Sequence, residues 1–153
     1  MPRTPRPLVT PGQVVHLFSA AEARQWAADW LAIFGKNRRG IDTSAYLWHV
    51  FSYARYPSVH GAVSHAQYRQ QTKAPFVVLA NDRQLAFLTD LLPEASSLTD
   101  YYVFPPNFSW TIAFTHEDGW CGPYFARHPR FTPSCPANRA QRAGARSPAT
   151  LMF

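Results

Sequence analysis

The sequence predicts an α+β fold: a small antiparallel sheet of three or four strands with two or three helices packed on one face. Three observations predict it. Residues 20–34 repeat apolar side chains at helical spacing behind a capping signal. Residues 108–116 alternate with a period of two. Residues 100–104 and 108–116 flank a Pro-Pro-Asn turn, the arrangement of an antiparallel hairpin.

The elements follow in chain order. Residues 1–12 hold Pro2, Pro5, Pro7 and Pro11 and read as an extended lead-in. Residues 13–18, QVVHLF, suit a short first strand. Ser19 stands three before Glu22, a capping box in which each side chain satisfies the other residue's backbone N–H. Ala23, Trp26, Ala27, Trp30 and Phe34 then line one stripe of a helix over 20–34, and Gly35 stops it. After the polar turn 36–40, Asp42 or Thr43 can cap a second helix over 44–55, ended by Pro57. Residues 61–71 suit a third, weaker helix. The apolar run 75–80 reads as a buried strand, with Asn81-Asp82 as its turn. Leu85, Leu88 and Leu92 recur at helical spacing, so 83–92 reads as a short helix. In 108–116, Phe108, Trp110, Ile112, Phe114 and His116 fall on one face, and Ser109, Thr111, Ala113 and Thr115 on the other. Gly122-Pro123 turns the chain toward a short edge segment.

These elements make one domain over 13–127, within the size a single core serves. Residues 128–153, rich in Pro, Ala and Arg, read as a disordered basic tail. Charge divides along the same lines. The whole chain carries +6, but residues 7–126 hold eight Lys or Arg against nine Asp or Glu. Residues 127–153 hold five arginines and no acid. A near-neutral domain with basic ends argues against specific nucleic-acid recognition, because such tails are ordinarily solvated. No apolar run reaches the ~18–20 residues of a membrane span, and no secretory signal is expected.

Cys121 and Cys135 form no CxxC pair, so neither a zinc knuckle nor a thioredoxin motif is present. Cys135 falls in the expected tail, so no bridge to Cys121 is expected, and a reducing cytoplasmic setting is the default. The six histidines show no HxH, HxxxH or HExxH spacing, so no metal and no cofactor is expected. There is no GxSxG and no Gly-rich phosphate loop.

The chemistry that remains rests on a few side chains. His116, at the end of the strongest strand, is a candidate general base, with Glu117 or His49 as candidate partners. The competing reading is a half-buried histidine satisfied by a backbone carbonyl, and it outweighs the catalytic one because no partner is identifiable. Cys121 in GWCGPY has no visible base and reads as inert. Among the many aromatics, Tyr53, Tyr56, Tyr68, Trp120 and Tyr124 do not fit the core periodicity, and surface aromatics supply binding hot spots.

Four strings add a resemblance. LWHVFSY at 47–53, FSWT and THE within 108–117, and GPYF at 122–125 together resemble the small bacterial proteins grouped as domain-of-unknown-function family 4275. The resemblance spans roughly residues 20–127 and implies a compact cytoplasmic α+β protein. It implies no reaction, cofactor or partner, and the long Arg/Pro/Ala tail lies outside it.

The sequence therefore leads to a non-enzymatic protein-binding module of inhibitor, immunity or regulatory type. Its candidate contact residues are Trp48, His49, Tyr53, Trp120 and Tyr124, and its partner is a protein. The alternative is a small enzyme using His116 with Glu117 or His49.

Overall fold

The computed structural model describes residues 9–117 and 122–128. Nine strands and three helices occur among them: β1 (Val9–Thr10), β2 (Val14–Leu17), α1 (Ala20–Phe34), α2 (His49–Ser52), β3 (Val59–His60), α3 (Ala62–Arg69), β4 (Phe76–Ala80), β5 (Ala86–Thr89), β6 (Ala95–Ser96), β7 (Tyr101–Phe104), β8 (Trp110–Phe114) and β9 (Tyr124–Arg127). Seven strands form one antiparallel sheet in the order β2-β5-β4-β7-β8-β9-β3, and β1 pairs with β6 apart from it. The expected sheet of three or four strands is thus too small. Several strands are only two to four residues long, too short to carry a period in the sequence.

The sheet is also covered on both faces, not one. Along β4, Val77 and Leu79 join a core with Trp30, Phe34 and Phe51 of α1 and α2, while Phe76 and Val78 join a second core with Tyr68 of α3. The same division runs along β7, where Tyr102 and Phe104 face α1 and Tyr101 and Val103 face the other side. Burial on both faces explains the near-continuous apolar run PFVVLA.

Three local readings are corrected. Residues 83–92 contain β5, not a helix. Asp82 Oδ1 accepts from the Gln84 N–H at 2.8 Å, Arg83 takes φ +66°, and the Ala80 N–H donates to Leu85 O at 2.9 Å. That turn closes a β4–β5 hairpin and overrides the leucine spacing. The helix expected over 44–55 shrinks to His49–Ser52. Asp42 caps nothing: its carboxylate accepts from the Ser44 N–H at 2.8 Å, and tertiary acceptors take the N–H groups of Leu47 and Trp48. The segment after Gly122-Pro123 is an interior strand, since β9 lies between β8 and β3.

Phe108 also leaves its predicted face. It takes φ +58°, a left-handed conformation costing roughly 1–2 kcal/mol for a residue with a Cβ. In return its ring stacks on Phe104 at 4.9 Å and touches Trp26 at 5.7 Å, on the α1 side. Trp110, Ile112 and Phe114 face the α3 side. The polar positions of β8 are not solvated: Thr111 is buried beneath α1, where it accepts from the Trp30 indole N–H at 2.9 Å.

Helix α1 starts and ends where the sequence places it. The Glu22 N–H donates to Ser19 Oγ at 3.1 Å and the Ser19 N–H to Glu22 Oε1 at 2.8 Å. The Ser19 N–H, then its hydroxyl, hold the Glu22 carboxyl below its ordinary value. A depressed carboxyl stabilises the fold above its unfolded-state value and loses that contribution as pH falls through the folded one. Stability measured by urea denaturation should therefore decline below about pH 4, and Glu22→Gln should flatten part of that decline. An identical acid limb in the variant would show that the cap is not linked to protonation.

No helix among the described residues is long and apolar enough to cross a membrane. Residues 1–8 of the lead-in and 129–153 of the tail lie outside the described residues, as do Trp120, Cys121 and Cys135.

Candidate functional site

The β7–β8 hairpin pairs Tyr101 with Phe114, so Asp100 and Thr115 flank its open end. Strand β8 stops at Phe114, and His116 turns out of the strand register. Its ring does not extend the face of Phe114. It crosses to the α2 side, 5.2 Å from Tyr46 and 5.9 Å from Trp48.

Asp100 organises this end of the molecule. His116 Nδ1 lies 3.0 Å from Asp100 Oδ2 and 3.2 Å from Oδ1. The Trp48 indole N–H donates to Oδ2 at 3.0 Å, and the His116 backbone N–H approaches the same oxygen at 3.3 Å. The Asp100 side chain is 10% exposed and that of His116 40%. A shielded carboxylate thus anchors a half-open imidazole. His116 Nε2 lies 3.8 Å from Glu117 Oε2, close enough for charge attraction and too far for a hydrogen bond. Glu117 is placed by its own N–H, which donates to Thr115 Oγ1 at 3.0 Å.

A second polar layer holds the segment before α2 against the sheet. Tyr102 is buried, and that burial pushes its phenol well above the ordinary value, so the hydroxyl stays protonated. It donates to Asn81 Oδ1 at 2.6 Å and accepts from the Trp48 N–H at 3.0 Å. Asn81 Oδ1 also accepts from the Leu47 N–H at 3.1 Å, and its amide donates to Ala45 O at 2.6 Å. Short α2 has no side-chain cap; the N–H groups of His49, Val50 and Phe51 donate to the carbonyls of Tyr46, Leu47 and Trp48.

His49 joins the same group of rings. It packs edge-on against Trp48 at 4.8 Å and Tyr53 at 5.3 Å, and touches Tyr46 at 5.5 Å. Its Nδ1 lies 3.1 Å from Asp42 O, and a carbonyl only accepts, so Nδ1 carries the proton. The Ser44 hydroxyl, then its N–H, hold the neighbouring Asp42 carboxyl below its ordinary value.

The structure therefore brings His116, His49 and Trp48 around Tyr46, with Glu117 beside His116. Tyr124 stacks on Trp48 at 6.1 Å. Trp48 and Tyr124 are core residues, 3% and 5% exposed, while Tyr53 is 56% exposed. Tyr68, expected outside the core, is fully packed and donates its hydroxyl to Pro93 O. Among the described residues no three His, Cys, Asp or Glu side chains group to hold a metal.

Sequence reasoning missed Asp100, Tyr46, Tyr102 and Asn81. For Asp100 a signal existed. Once the hairpin is accepted, residues equidistant from its turn are neighbours, and Asp100 falls beside Thr115 and His116.

LWHVFSY, THE and GPYF, three of the strings that carry the family resemblance, meet at this site through Trp48, His116 and Tyr124. The family model described as Domain of unknown function (DUF4275) matches residues 21–125, more than half of the chain. No curated protein and no solved structure matches it.

Proposed function

We propose that this chain, which belongs to the Domain of unknown function (DUF4275) family, is a small acid–base catalyst in which His116 exchanges a proton at Nε2 while Asp100 holds the ring. The 3.0 Å contact between Asp100 Oδ2 and His116 Nδ1 carries the reading. An ionised carboxylate can only accept, so the proton sits on Nδ1 and the lone pair on Nε2. Asp100 is itself fixed by the Trp48 indole, which reduces the freedom the imidazole must lose on reaction.

Glu117 supports the same role from the other side. Its Oε2 lies 3.8 Å from Nε2, across the ring from the Asp100 contact at Nδ1. Tyr46 and Trp48 supply an apolar wall beside the ring. The arrangement suits abstraction of a proton from a small substrate, or activation of a water that attacks one.

Recognition of a protein partner has less support. It rests on exposed aromatic side chains, and of Trp48, Tyr53 and Tyr124 only Tyr53 is largely exposed. The experiment is a screen of the full chain against chromogenic esters, amides and phosphate esters, repeated with His116→Ala. Turnover that falls by at least ~10²-fold in the variant is expected. Equal turnover by the variant, or none by the native chain on any substrate, would sink the proposal.

A further inference from the structure

We infer that a cleft at the opposite end of β9 from His116 binds a small amphipathic carboxylate, its charge paired with Arg127 and its apolar body laid on Val59 and Pro57. The inference is independent of the acid–base reading. Arg127 pairs with Trp110 at the start of β8, whereas His116 lies just beyond its end.

The cleft measures about 510 Å³, within the roughly 300–1,000 Å³ of small-molecule sites. Its walls come from the Tyr56–Ser58 segment, from Val59 of β3, from Gln67 of α3, and from Phe125 to Arg127 of β9. Most of that lining is apolar, with one cation and no acid. The Arg127 guanidinium lies 5.2 Å over the Phe125 ring, which holds it in place without neutralising it. Among the described residues no carboxylate forms an ion pair with it; both ion pairs there belong to His116.

The remaining polar groups are consistent with a monoanion. The Tyr56 hydroxyl donates to Arg127 O and so fixes the wall to β9. Burial pushes that phenol up to about 12, so it adds no negative charge to the cleft. Ser58 and Gln67 line the same space and can donate to a second ligand oxygen. A guanidinium presents two parallel N–H groups that match a carboxylate. One cation with an apolar floor suits a singly charged, partly hydrophobic acid better than a phosphate dianion, which calls for more donors.

The test is calorimetric titration of the full chain with 4-phenylbutyrate and, separately, with the primary amide of the same acid. Saturable binding of the carboxylate is expected, with the amide at least tenfold weaker. Arg127→Met, which keeps the stem over Phe125, should weaken the carboxylate at least tenfold and leave the amide unchanged. Should that variant fail to fold on a thermal melt, Gln67→Glu places an acid in the cleft and should repel the carboxylate at least tenfold. Equal affinity for acid and amide would overturn the inference. So would carboxylate affinity unchanged in a folded variant, or no saturable binding of the carboxylate.

Discussion

Trp30→Ala is expected to destabilise the fold by about 3–5 kcal/mol, measured as a lower urea midpoint at unchanged slope. Trp30 is fully buried and sits where α1, α2 and the sheet converge. Its ring lies 5.2 Å from Phe34, 5.6 Å from Phe51 and 5.1 Å from Tyr102. Removing the indole takes away roughly 150–250 Å² of packing and leaves a cavity bounded by rigid rings that collapse poorly. It also removes the donor that Thr111 accepts, a smaller loss of about 1 kcal/mol. Packing therefore decides the outcome, and Trp30→Phe separates the two effects by keeping a ring while losing the N–H. Against a total stability of about 5–15 kcal/mol, the alanine variant spends much of the margin. A loss below ~1 kcal/mol would mean that α1 is not seated on the sheet as described.

The second large effect concerns the proposed chemistry. Asp100→Asn is expected to lower turnover by roughly 10²–10⁴-fold with the fold retained. Asparagine has nearly the same shape, and its carbonyl still accepts from the Trp48 indole. The amide nitrogen, however, can present a donor to His116 Nδ1. The ring then responds by moving its proton to Nε2, and the lone pair no longer faces the substrate. His116→Ala removes the base outright and should cost at least as much. A structural role for Asp100 makes a different prediction: stability falls while turnover per folded molecule stays the same. Turnover normalised to folded protein, together with the urea midpoint, distinguishes the two.

Much of the frame was legible where a signal is local. The Ser19–Glu22 box and Gly35 bound α1 at the residues the helix occupies, because capping depends on neighbours three or four apart. The Pro-Pro-Asn turn announced the β7–β8 hairpin, because turn chemistry is local too. Sheet size was not legible. β1, β3 and β6 have two residues each, and their pairing partners lie far off in the chain. β5 was misread because three leucines satisfy a helical period over a window too short to exclude a strand.

The site was half legible for the same reason. His116, Glu117 and His49 stood out from the sequence by chemistry, and Trp48 through the family resemblance. Their convergence depends on Asp100, sixteen residues before His116, and on Tyr46, in a segment read as the second helix. The face of His116 failed at one step: strict alternation continued through a residue already past the strand end. A strand that stops two residues early sends the next side chain elsewhere, and the period carries no mark of where it stops.

In the proposed chemistry Asp100 fixes the proton of His116 on Nδ1 and leaves Nε2 as the base. Long-range ¹H–¹⁵N correlation of the imidazole nitrogens, with the ring neutral, reads that directly in the native chain and in Asp100→Asn. A protonated Nδ1 and an unprotonated Nε2 are expected in the native chain, with the pattern reversed in the variant. An Nε2-protonated ring in the native chain, unchanged by the substitution, would contradict it.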